Sequence, residues 1–196
     1  MSRADEQDED MFVSPDSVPQ DWARQLLDFW FNAHGRSDWF GGGSAFDEKV
    51  ARFADWRTAL RSQPANSFLT DPDTARAAIL LFDQMPRNLY RKQSEAFATD
   101  ELAVQIARGA VKQGFDQGLD DDARAFLYMP FEHSEDIDDQ RESLRLMNAI
   151  NADYGSFAQK HFDIIDRFGR FPHRNAALGR ETREGEAEAI AQGENW

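Results

Sequence analysis

Four histidines, a set of arginines and scattered carboxylates carry whatever chemistry this chain performs, because it contains no cysteine. A thiolate nucleophile, a disulfide framework and a cysteine-rich zinc site are all excluded by that count. His133 is followed by Ser134, Glu135 and Asp136. An imidazole beside two carboxylates can be oriented and have its pKa raised toward working pH, so His133, Glu135 and Asp136 are the catalytic candidates. Ser134 lies in no Gly-x-Ser-x-Gly elbow and reads as a helix cap. His161 shares a helical stripe with Phe157, Ile164, Ile165 and Phe168, the pattern of a core histidine. No paired-histidine helix motif is present, so no metal and no cofactor are expected.

The charge distribution adds a binding candidate. The formal net charge is −14, yet residues 167–183 hold five arginines against one acid, Glu181. A second basic island, Arg87, Arg91 and Lys92, contains no acid. Cationic forks of this kind suit carboxylate or phosphate groups, and Arg87, Asn88, Arg170, His173, Arg174 and Asn175 are the ligand-binding candidates. The bland account is that arginines past a helix C-terminus cap orphan carbonyls. An acidic chain with pI near 4.6 is repelled by phosphate backbones and anionic lipid, so neither nucleic acid nor membrane is expected as a partner.

Helices must position these groups. The chain has 26 Ala but only 17 Val, Ile and Thr combined, and no alternating strand pattern occurs. Helix starts are expected near Pro19, Ser44, Asp71-Pro72, Thr99, Asp120, Ser134 and Ser156, with a short further helix after Thr182. Pro86, Pro130 and Pro172, spaced 44 and 42 residues apart, are read as the ends of alternate helices in a two-helix repeat. Stacking such pairs would bring His34, Arg87, Asn88, Glu132, His133, His173, Arg174 and Asn175 to one rim. The glycines at 41–43 read as a flexible connection, and Trp39 with Phe40 as a staple on the next helix rather than a lid. One helical domain, residues 18–192, is expected between a disordered acidic leader, 1–17, and a disordered tail, 193–196. The acidic start lacks an apolar signal segment, which points to the cytoplasm.

Four segments carry a family resemblance: LFDQMPRNLYR at 81–91, AFATD at 96–100, FLYMPFEHSED at 126–136, and 161–180, which includes RFGRFPHRN at 167–175. Over roughly residues 22–188 the chain resembles the bacterial family catalogued as domain of unknown function 924. The resemblance implies an all-α fold of antiparallel helix pairs in a tetratricopeptide-like right-handed superhelix of about seven to eight helices; it implies no activity. Glu132 departs from that family's pattern, which leads to an apolar residue there. Three functions remain open: a site for a small anionic ligand, with acid/base or hydrolytic chemistry at His133; a scaffold clamping a peptide carboxylate on the same rim; or a purely structural polar network.

Overall fold

The computed structural model of the chain describes residues 13–191, and among them every regular element is helical. Most of the acidic leader and the expected tail therefore lie outside the described residues. The leader's end does not: Pro15–Ser17 forms a 3-10 turn capped by Ser14. The α-helices are α1 (Trp22–Leu27), α2 (Arg36–Gly41), α3 (Gly43–Val50), α4 (Ala54–Leu60), α5 (Pro72–Ile79), α6 (Met85–Leu89), α7 (Asp100–Lys112), α8 (Asp121–His133), α9 (Ile137–Asn148), α10 (Ala152–Phe168) and α11 (Glu186–Ala191).

α5 is the central element. Ala75, Ala77, Ala78 and Ile79 are wholly buried, and burial continues through Leu80, Leu81 and Phe82. Its exposed first turn gives way to a fully apolar run that must be enclosed, and α1, α7 and α8 pack around it. From α7 to α10 each helix packs on the next, α7 on α8, α8 on α9 and α9 on α10. Among the described residues no helix is long and apolar enough to cross a membrane.

Several caps are those expected. Asp71 accepts from Thr74 N at 2.9 Å with Pro72 in the first turn, and Asp120 accepts from Ala123 N at 2.8 Å. Others shift: Asp136 rather than Ser134 caps α9, and Asn151 rather than Ser156 caps α10. The prolines do not mark repeat boundaries. Pro86 lies in the first turn of α6, and Pro130 lies inside α8; Pro172 alone follows its helix. A π turn, Leu80–Gln84, joins α5 to α6 and takes up the missing hydrogen bond and ring clash that Pro86 would impose on an α-helix.

The glycine run is a tight corner. α2 and α3 meet at Gly42, where a Cβ would lie 2.5 Å from Phe46 Cβ and 2.6 Å from the Asp38 carbonyl oxygen. Only glycine fits there. The corner presents Trp39 to Trp30, with the rings stacked at 6.2 Å and Trp39 Nε1 donating to the Trp30 carbonyl at 3.0 Å.

Candidate functional site

Five helices each contribute one face to a single cleft of about 470 Å³. α2 supplies Arg36, Trp39 and Phe40, at spacings of three and four residues that put them on one side of a helix. The C-terminal turn of α8 supplies Met129, Glu132 and His133, and α10 supplies Tyr154, Phe157 and His161. Gln84, Arg87, Asn88 and Arg91, from the π turn, α6 and the residues after it, close one side, and Met147 of α9 completes the lining. Phe40 and Phe157 are two of the three exposed large hydrophobic side chains among the described residues, and both face this cleft.

His133 is held by Asp83, whose Oδ1 and Oδ2 lie 2.7 and 2.9 Å from Nδ1. Asp83 belongs to the π turn and is fully buried. Burial works against its charge, but Arg87 and His133 outweigh that effect and keep the carboxyl well below the usual carboxylate range. Burial, with the charge of Arg87, pushes His133 down despite Asp83. His161 has Nδ1 2.9 Å from the Phe157 carbonyl oxygen and 3.4 Å from Glu132 Oε1, and burial lowers it to about 3. Burial and then the charge of Asp83 raise Glu132 to about 8.

Behind the cleft runs a polar wall. Arg87 donates to both oxygens of Asp100, at 2.9 and 3.0 Å, while Arg174 donates to Asp100 Oδ2 at 3.2 Å and to the His133 carbonyl at 2.8 Å. Phe97 and Phe171 flank the Arg174 guanidinium at 4.6 and 4.5 Å. Burial, and then the charge of Arg87, lower Arg174 to about 10. Arg170 grips Glu186 at 2.7 and 2.8 Å, and Asn175 donates to the same carboxylate at 2.9 Å.

The segments holding Arg87, His133 and Arg174 therefore do meet, although only Arg87, Asn88 and His133 of the predicted site residues line the cleft. Arg170, Arg174 and Asn175 point into the wall, and His173 sits beside Phe171 with its Nδ1 buried and lacking a hydrogen-bond partner. Neither predicted carboxylate holds His133. Glu135 accepts from Arg180 at 2.7 and 3.0 Å and from Phe171 N at 2.7 Å, and Asp136 spends its side chain on the α9 cap. The expected rise in the His133 pKa is thus replaced by a fall. His161, read as core, and Trp39 and Phe40, read as a staple, all line the cleft. His34 is occupied elsewhere, with Nδ1 2.8 Å from the Phe29 carbonyl oxygen and Lys49 Nζ 3.3 Å from Nε2. Asp83 lies four residues before Arg87 and Glu132 falls on the expected rim, but neither is marked by the sequence as a residue of the site.

A family model described as bacterial protein of unknown function (DUF924) matches residues 26–194. The solved structure of a protein of unknown function, ATU0120, from Agrobacterium tumefaciens is 39% identical and superposes with a TM-score of 0.82, covering 87% of this chain and 97% of that one. No curated protein matches the chain.

Proposed function

The chain belongs to the bacterial DUF924 family, and from the cleft that its helices build we propose that it binds a small amphipathic anion. One observation carries this reading: two solvent-exposed aromatic rings, Phe40 and Phe157, face the same concave site as Arg36, Arg87 and Arg91. Apolar surface left in water costs about 25 cal/mol per Å², and a concave aromatic wall rimmed by a few polar groups is the usual form of a ligand site. The apolar body of the ligand lies against Phe40, Trp39, Met129 and Phe157. Its acidic head meets Arg91 and Asn88.

Arg91 and Asn88 both already face Asp47. That pairing does not disqualify them. A guanidinium has five donors, two of which Arg91 gives to Asp47, and its side chain is 55% exposed. Exposed ion pairs of this type contribute about 0–1 kcal/mol, so a ligand carboxylate or phosphate competes with Asp47 on near-equal terms. A concave site favours a small ligand over a peptide laid along an open groove.

Thermal unfolding with aromatic carboxylates and phosphate monoesters tests the reading. At about one hundred times its dissociation constant a ligand adds about 2.7 kcal/mol. The expected rise in melting temperature shrinks as inert salt is added and is lost in Arg91→Ala and in Phe157→Ala, two exposed positions whose replacement leaves the fold intact. A melting curve that no such compound moves at low ionic strength refutes the proposal.

A further inference from the structure

Glu132 stands apart from the other buried acids. Asp83 faces Arg87 and His133, Asp139 faces Arg108, and Glu186 faces Arg170. Glu132, 6% exposed, has no arginine or lysine within ion-pair distance among the described residues; only His161 Nδ1, at 3.4 Å, approaches it. A carboxyl removed from water without a compensating cation keeps its proton, as the rise of Glu132 to about 8 reflects, and a bound metal ion would displace that proton and pair the charge. Two imidazoles lie beside this one: ligand atoms of Glu132, His133 and His161 all fall within 4.8 Å of one another.

We propose that Glu132, His133 and His161 bind one divalent transition-metal ion of the zinc class at the floor of the cleft. The donor set is two nitrogens and one oxygen, which suits zinc and its neighbours in the first transition row over magnesium or calcium. Zinc sits about 2.0–2.2 Å from such ligands, so donors sharing an ion lie within about 4 Å, and side-chain shifts of less than about 1 Å close the site. The outer contacts are those that metal-bound histidines use. Asp83 accepts a hydrogen bond from His133 Nδ1 and the Phe157 carbonyl accepts one from His161 Nδ1, which leaves Nε2 of each ring for the ion; the 3.4 Å approach of His161 Nδ1 to Glu132 is then a contact beside the site and not a ligand distance. Three protein ligands on the wall of a solvent-reachable cleft leave a coordination position for water or a ligand oxygen. The ion site does not depend on the anion reading, since Arg91 and Phe157 are not among its ligands.

Titrating the chelator-treated full chain with zinc, and with cobalt as a spectroscopic stand-in, tests this. One ion per chain is expected, with visible cobalt bands. In the wild type, zinc should shift the ring nitrogens of His133 and His161 in an NMR spectrum while those of His34 stay in place. Glu132→Gln, nearly isosteric, should weaken binding by at least about tenfold, and Asp83→Asn, which alters a positioning residue, by about 10- to 100-fold. No stoichiometric binding overturns the proposal. So does zinc that leaves the His133 and His161 rings unmoved, or binding that survives intact in Glu132→Gln. Anion-induced stabilisation that persists in Glu132→Gln would leave the anion reading standing by itself.

Discussion

At the scale of single residues, the arginines of this protein are structural ties more often than open receptors. Arg174 is the clearest case, joining Asp100, the last carbonyl of α8 and two aromatic faces. Removing one partner of a buried ion pair costs about 3–5 kcal/mol, and because Asp100 keeps its two bonds from Arg87, Arg174→Ala should fall at the low end, about 3 kcal/mol. Arg174→Lys restores the charge without the planar fork, so urea unfolding should rank wild type above Lys and Lys above Ala. His133 and Arg87 were legible in the sequence because each sits in a dense polar motif. Asp83 was hidden as the histidine's partner, since Glu135 and Asp136 lie closer in sequence while the π turn brings Asp83 in from fifty residues away. His161 was hidden for the opposite reason: it shares its helical stripe with apolar residues, and burial alone does not distinguish a core residue from one at the floor of a cleft, while Glu132 fell on the expected rim but beside the more prominent carboxylates Glu135 and Asp136.

The helical elements were readable from alanine content and from caps such as Asp71 and Asp120, but their joints were not. Proline predicts a stop from local sterics, whereas a π turn before Pro86, and enclosure of Pro130 within α8, let helical structure pass through both. Glycine misled in the same way, for a run of three reads as slack when its middle member is the tightest contact in the corner. Gly42→Ala would drive a Cβ into the Asp38 carbonyl and the Phe46 side chain, neither of which is the free end of a flexible group. Overpacking of this kind costs about 1–3 kcal/mol. Because Trp39 and Phe40 ride on that corner, Gly42→Ala should also weaken any ligand of the cleft. Gly41→Ala meets nothing within 4 Å and should stay near wild type in both stability and binding.

On the scale of the whole molecule, the basic island of residues 167–183 is largely neutralised from within, by Glu186, Asp100 and Glu135. Glu186 anchors α11 in this way. Hydrogen bonds from Arg170, opposed by burial and joined by those from Arg183 N and Asn175, pull it to about 2. A carboxyl whose folded pKa lies below its unfolded value near 4.5 contributes stability that is complete above the unfolded value and is lost as pH falls toward the folded one. The melting temperature should therefore drop between about pH 4.5 and 2, and Glu186→Gln should start lower and flatten that part of the profile. An acid limb that is unchanged in the variant would place the responsible carboxylates elsewhere.

The π turn at Leu80–Gln84 has a further meaning for how such a site arises. Each residue of an α-helix advances the chain by about 100°, so a turn holding one residue more rotates everything after it by about that angle relative to α5. Asp83 faces the His133 imidazole from within that turn, and Arg87 and Asn88 emerge one turn later toward the cleft. One inserted codon, with no change of side-chain type, is thus enough to re-aim a helix that otherwise serves only as the centre of the core. The polar site is, in this sense, a phase offset written into the most apolar stretch of the chain.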